Sequence, residues 1–267
     1  MAATPETKTV TFSGLTWTYR TAGKGPPLIW LHGLWGEPGW EEHHARLAEQ
    51  YTVYAPILPG YDGSDFPPWM STMEDVALLL IEFLDALSLN AVAVAGHSLG
   101  AWAGAEAAIF RPARVNALVL IDPLGVCLDW TRVPNIFYCD PAALSGIFFS
   151  APDCAAAAQY LPPPSQWDER YIVNRAASAR LTFEPYLHSR RLPVRLRFAD
   201  VPALIVWGAE DRLLGVDHAA QWKALMPHAE IAIVKNAGHF PHVEQTGACL
   251  PVILQFLQAA NKRERSR

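Results

Sequence analysis

A serine set between two glycines, an aspartate and a histidine make up the most pointed chemistry this chain can offer. The serine is Ser98 in GHSLG, the aspartate Asp211 in WGAED and the histidine His239 in NAGHF. A serine hydroxyl is a weak nucleophile until a base takes its proton, and that base works best when a third group orients it. In this scheme Ser98 is the candidate nucleophile, His239 the base and Asp211 the orienting acid. Attack on a carbonyl also needs N–H donors for the oxygen that turns negative. The backbone N–H of Leu99, just after the serine, is one candidate. That of Leu34, in the loop after LIWLHG, is the other.

Taken alone, G-x-S-x-G is a weak signal: with Gly and Ser each about 7% of residues, it arises by chance in roughly one chain of this length in ten. A glycine-bracketed helix start with a capping serine would explain it. Its company decides otherwise, because an acid and a base follow at the ends of later apolar runs. Each role has competitors. His242, three residues past His239, is expected to cap or pack locally, and Glu210 adjoins Asp211. Asp122, in VLIDP, is an alternative acid for which a structural role in a turn is the simpler reading. His97, inside GHSLG, is expected to pack against the sheet.

Positions 98, 211 and 239 need a scaffold that brings them together. From residue 27 onward, PPLIWLHG, YTVYAPILPG, AVAVAGHS, ALVLIDP, ALIVWGAED and EIAIVKNAGH are short apolar runs, most closing on Gly, Pro or Asp. Such runs are what strands of a parallel sheet show when helices cover both faces. Between them TMEDVALLLIEFLDALSL, LGAWAGAEAAIF, DHAAQWKALMP and ACLPVILQFLQAANK carry helical patterning. The alternation predicts an α/β architecture with a doubly wound, mostly parallel sheet. TVTFSG and LTWTYRTAG add a hairpin at one edge. On this scaffold GHSLG is the turn from a buried strand into a helix. A turn that sharp strains its central residue and lifts the side chain above the sheet's carboxyl edge. A Cβ on either flank would strike strand or helix, which accounts for the glycines. The helix start favours negative charge at the same place.

One interval breaks the alternation. Residues 125–195 separate ALVLIDP from ALIVWGAED by far more than one crossover needs, and they are rich in proline and aromatics. They are expected to form a cap, or lid, inserted into a core made of residues 1–124 and 196–267.

Composition narrows the partners. With 267 residues, 51% apolar and 18% charged, the chain can bury a real core. A net charge of −5 argues against nucleic acid, which demands a basic face. The basic ending NKRERSR reads as a solvated, frayed tail. MAATPETKTV lacks the apolar core of a secretory signal, and the most apolar helix candidate is broken by Glu82 and Asp85. No membrane partner is expected, therefore, and a cytoplasmic location is. Cys127, Cys139, Cys154 and Cys249 lack metal-ligand spacing and are expected to be reduced. No metal, nucleotide or flavin motif is present, so catalysis is expected to need neither metal nor cofactor. The expected partner is a small-molecule substrate, and the expected state a monomer or homodimer.

In order along the chain, LHGLWG, LPGYDGSD, GHSLGAW, LVLIDP, WGAEDRL and NAGHFPHVEQ make it resemble the α/β-hydrolase fold family, from about residue 8 to about residue 260. The resemblance implies the triad order Ser98, Asp211, His239, the oxyanion hole, and a cap after the sixth strand. Two departures are Ile57, where relatives often carry an acidic or polar residue, and Ala101, where a third glycine is common. Ser98 argues against epoxide hydrolases and haloalkane dehalogenases, which place aspartate at that turn.

The activity expected is hydrolysis of a carboxylic ester of a small, largely apolar substrate through an acyl-enzyme. Candidate substrate-binding residues are Trp35, Trp102, Phe148, Arg175 and Phe240, with Trp40, Phe137, Phe149 and Trp167 as further aromatic lining. For any single aromatic, core packing is the plainer reading. The alternative is a C–C bond hydrolase of meta-cleavage products, whose relatives ARLTFEPYL resembles. Arg175 would then hold a substrate carboxylate from the cap; under the ester reading it pairs with a neighbour such as Glu169. Against this alternative, that group has GNSMGG at the turn and Trp after the histidine, where this chain has His97, Leu99 and Phe240. A third possibility is a non-catalytic ligand-binding protein of the same fold.

Overall fold

The computed structural model describes residues 4–127 and 129–265. Its strands are β1 (Glu6–Phe12), β2 (Leu15–Ala22), β3 (Pro27–Leu31), β4 (Thr52–Pro56), β5 (Val92–His97), β6 (Val115–Ile121), β7 (Ala203–Gly208) and β8 (Glu230–Val234). They form one sheet in the order β1-β2-β4-β3-β5-β6-β7-β8. β1 and β2 make the edge hairpin, turning at Ser13 and Gly14, both with positive φ. β2 also runs antiparallel to β4, and every pair beyond that is parallel.

The helices are α1 (Glu42–Ala48), α2 (Met73–Ala86), α3 (Leu99–Phe110), α4 (Leu144–Phe148), α5 (Ala155–Tyr160), α6 (Glu169–Thr182), α7 (Leu192–Arg195), α8 (Asp217–Leu225), α9 (Pro241–Glu244) and α10 (Thr246–Arg265). Alternate strand residues feed two cores. Ile29, Leu31, Val94, Leu118, Leu120 and Ile205 pack with α2, α3 and α8. Leu28, Trp30, Ala93, Ala95, Val119 and Val206 pack with α1 and α10. Both faces of the central strands are therefore buried, which is why their sequences read as unbroken apolar runs. The helix after β4 is set by a capping box: Asp75 N–H donates to Thr72 Oγ1 (3.2 Å) and Thr72 N–H to Asp75 Oδ2 (2.9 Å).

The chain leaves the sheet after β6 and returns at β7. The excursion carries α4 to α7 and is pinched where Gly125 meets Leu187, His188 and Ser189. Its returning end is tied down by Arg195, whose Nη2 lies 2.8 Å from Glu74 and 2.5 Å from Glu106, on α2 and α3.

Two features differ from the sequence reading. α1 carries too few apolar residues to announce itself, and its adjacent His43 and His44 are both buried. α10 continues through Arg265, so most of the basic ending is helix rather than frayed tail. All four cysteines are free. Among the described residues no helix is long and apolar enough to cross a membrane.

Candidate active site

Ser98 sits between β5 and α3 with φ 56° and ψ −114°, a left-handed backbone that non-glycine residues avoid. Glycine is required on both sides. A Cβ at Gly96 would lie 2.5 Å from the Gly100 carbonyl carbon, and one at Gly100 would lie 2.4 Å from the Leu31 carbonyl oxygen. The strand and the helix approach too closely for any side chain. The strain leaves the hydroxyl facing the ends of β7 and β8.

His239, in the loop after β8, meets it there. Its Nε2 lies 2.9 Å from Ser98 Oγ, and its Nδ1 lies 2.7 Å from Asp211 Oδ2. Asp211 Oδ1 accepts from the N–H groups of Leu213 (2.8 Å) and Leu214 (3.1 Å). The carboxylate is thus fixed by the turn that follows β7, and an acceptor at Nδ1 puts the ring proton there. Nε2 is left with its lone pair toward the serine, the arrangement a general base requires. All three residues are buried.

The loop after β3 passes directly over the serine. A Cβ on Gly33 would fall 2.5 Å from His97 Nδ1 and 3.2 Å from Ser98 Cβ. Leu34 follows immediately, and its N–H and that of Leu99 belong to the two backbone segments flanking the hydroxyl. Several contacts hold the loop. Leu58 N–H donates to His32 Nε2 (3.0 Å), and His32 Nδ1 faces Gly33 O (2.9 Å). Burial holds His32 below its usual range, so the ring stays neutral. From α6, Ser178 Oγ donates to Leu34 O and Asn174 Nδ2 to Trp35 O (3.1 Å). The sequence does not single out Asn174 and Ser178. Their signal is a buried polar stripe at four-residue spacing, completed by Thr182.

The competitors resolve by position. Glu210 is exposed on the turn. His97 Nε2 lies 2.6 Å from the His239 carbonyl oxygen, and the ring packs on Phe240 and His242. His242 is buried against Trp30, His43 and His97. Burial foremost pushes both imidazoles well below their usual range. Asp122 is buried beside Asp211.

The apolar candidates divide. Phe148 packs edge-on to the His239 ring at 5.4 Å and to Trp35 at 5.5 Å. Phe240 stacks on Phe149 at 4.7 Å. Trp40 instead stacks on His44, in the core beneath the other face of the sheet. Trp102 turns along α3, its Nε1 donating to Glu106 Oε1 (3.3 Å), and borders an open cleft of about 440 Å³ with Met73, Pro185 and His188. Arg175 makes no ion pair with Glu169. Its Nη2 donates to the carbonyls of Ile136 (3.2 Å) and Phe137 (3.1 Å). Its guanidinium lies 5.6–5.8 Å from the rings of Trp167, Trp35 and Phe137. Trp35 Nε1 is buried without a hydrogen-bond partner among the described residues; its ring stacks at 5.8 Å on that of Tyr171, whose hydroxyl faces the Arg175 guanidinium.

Among the described residues two buried clusters bring three donor atoms within 4.8 Å of one another: Glu37, His43 and His44, and Asp122, Asp211 and His239. In neither are all lone pairs free for a metal. His44 Nδ1 accepts from Glu41 N–H (3.0 Å), which places that ring's proton on Nε2, toward Glu37. His239 Nδ1 is committed to Asp211.

Known proteins share this arrangement of elements. The 2-hydroxy-6-oxo-6-phenylhexa-2,4-dienoate hydrolase of Burkholderia cepacia is 25% identical over 263 residues, covering 88% of this chain and 89% of that one. The crystal structure of the enzyme of that name from Rhodococcus superposes with a TM-score of 0.77 at 20% identity, over 96% of this chain and 99% of that one. A carboxylesterase from Bacillus subtilis superposes at 0.70 and 22% identity, over 95% and 92%. Residues 28–251 match the model of the alpha/beta hydrolase family, and the chain belongs to that family.

Proposed function

We propose that the protein is a serine hydrolase that cleaves a carboxylic ester of a small, largely apolar substrate. The observation that carries this is the buried chain from Asp211 through His239 to the strained Ser98, with contacts of 2.7 and 2.9 Å. His239 Nε2 takes the hydroxyl proton as Ser98 Oγ attacks the ester carbonyl. The N–H groups of Leu34 and Leu99 stabilise the oxyanion. Collapse of the tetrahedral species expels the alcohol, which receives the proton from His239. Water, deprotonated by the same imidazole, then releases the acid and restores Ser98. The excursion between β6 and β7 acts as the cap, with Phe148 and Trp35 forming the apolar wall nearest the base.

A second reading draws on Arg175. A guanidinium anchored on two carbonyls beside Trp35 and Tyr171 suits a substrate carboxylate. The B. cepacia and Rhodococcus relatives are named for hydrolysis of such an acid. Phe240, which cannot donate a hydrogen bond, and His97, which is engaged with the His239 carbonyl, favour the ester reading. Turnover of a p-nitrophenyl ester series beside a meta-cleavage product separates the two. Activity on neither, with Ser98 unlabelled by a fluorophosphonate, would leave a binding protein of this fold.

A further inference from the structure

The proposed triad leaves one buried acid beside it unused. Asp122 follows β6 with φ 41° and is fully buried. Its N–H donates to Val206 O (2.9 Å), and its Oδ1 accepts from Gly208 N–H (3.0 Å). Its Oδ2 is just as buried and receives no hydrogen bond. The carboxyl groups of Asp122 and Asp211 and the His239 imidazole place one donor atom each within 4.8 Å of the others. Two carboxyl groups this close and out of water do not both ionise. The N–H donors decide which keeps the proton. Among the described residues Asp211 accepts from Leu213, Leu214 and His239, whereas Asp122 accepts from Gly208. Each donor favours the charged form, so Asp211 is the carboxylate and Asp122 the acid.

We propose that Asp122 is a positioning residue that works as a neutral carboxylic acid, donating Oδ2–H to the Asp211 carboxylate. This rests on the reading of Ser98, His239 and Asp211 as the reacting unit. A fourth donor holds Asp211 in place while its Oδ2 keeps His239 oriented. Neutrality matters as much. A second negative charge here would raise the proton affinity of His239 and leave less free base at neutral pH. The groups around Asp122 agree. Burial first, and Asp211 next, push it well above the usual carboxylate range. Glu244 on α9 acts the same way, and it is itself engaged by Gly238 N–H (2.7 Å) and Ser150 Oγ (2.6 Å). Cys249 on α10 faces Asp122 as a thiol that burial pushes up.

The direct test is infrared spectroscopy of the intact wild-type protein at about pH 7, with and without isotope-labelled aspartate. Exposed aspartates are ionised there, their usual value being about 3.9. An isotope-shifted C=O stretch of one protonated aspartate is expected, and it should vanish in Asp122→Asn. Absence of the band in wild type overturns the proposal, and no variant need fold for that result. Kinetics give a second readout. Asp122→Asn puts an N–H donor where the O–H stood, so the acid limb of the kcat/KM profile should stay within about 0.3 pH unit. Asp122→Leu, which removes the donor to a charged group, should lower kcat/KM about tenfold or more. An acid limb that falls by about one unit in Asp122→Asn would mean a negative charge had been removed from beside His239, and would overturn the proposal. Wild-type activity in Asp122→Leu would do the same. The band does not depend on turnover, so a failure of the triad reading, seen as undiminished activity in Ser98→Ala, is told apart from a failure here.

Discussion

Among the described residues two buried groups of carboxylate and imidazole lie a few ring contacts apart, and only one of them ends on a serine hydroxyl. His97 touches His239 (5.1 Å) and His242 (4.5 Å), and His242 in turn touches His43 (5.0 Å). In the first group the carboxylate takes one ring nitrogen of His239 and leaves the other to Ser98. In the second, Glu37 accepts from Trp30 Nε1 (3.0 Å), with His43 Nε2 and His44 Nε2 at 3.0 and 3.2 Å from its oxygens. The nearby hydroxyl of Tyr160 is spent as donor to Glu41 (2.6 Å). The same residue types therefore serve different ends. What separates them is whether a ring nitrogen is left facing a hydroxyl on strained backbone, or the ring nitrogens face the carboxylate of Glu37, beside α1.

The sharpest way to break this contrast is at Ser98. Ser98→Ala should abolish fluorophosphonate labelling and lower kcat by about 10⁶-fold, with His239→Ala similar and the double variant little worse, because the three act as a unit. Asp211→Asn should cost less, about 10⁴-fold. Multiplicative losses, measured in the same ester assay, would show that these residues work independently.

The second group, with its neighbours, should dominate acid stability. Burial foremost lowers His32, His43, His97 and His242 from the usual 6.5. As pH falls below that value the unfolded chain takes up these protons before the folded one does, so stability is lost on acidification. Each such group adds up to about 1.4 kcal/mol per pH unit to the slope. Glu37, held well below its usual value by His44 and His43 against its burial, adds to the loss near and below pH 4.5. Urea unfolding between about pH 7 and pH 5 measures the slope; a flat profile would mean that these imidazoles titrate in the fold as they do in the unfolded chain.

Glu37→Gln removes one partner of a buried charged contact and should cost about 3–5 kcal/mol in stability. Ester kcat/KM of the folded variant should stay within about threefold. A folded Glu37→Gln enzyme that lost activity by orders of magnitude would erase the distinction between the groups.

The smallest effect concerns which substrates the first group serves. Arg175→Ala should spare neutral esters under the ester reading. Under the C–C reading it should lower kcat/KM for carboxylate-bearing substrates about a hundredfold. Loss on both kinds of substrate would instead point to a disturbed cap, and a thermal melt would show it.

Much of this arrangement is legible in the sequence. The strand-turn-helix grammar around GHSLG, and the polar residues closing the runs after β7 and β8, placed Ser98, Asp211 and His239 at one sheet edge because each signal is local. α1 escaped because seven residues with two adjacent histidines carry no clear apolar stripe. The partners of Arg175 escaped too. Glu169 is near in sequence, yet the guanidinium reaches carbonyls some 38 residues away.

By itself, then, the sequence determined the reactive residue types, the doubly wound scaffold and the glycines that let a serine stand on a forbidden turn, since all of these depend on neighbours along the chain. The tertiary structure alone decided which of nine histidines faces a hydroxyl and which are sealed against Glu37. It also decided which of two adjacent acids collects the N–H donors. Those choices turn on desolvation and on hydrogen bonds between residues more than a hundred positions apart, as with Ser98 and His239, and no local pattern encodes them.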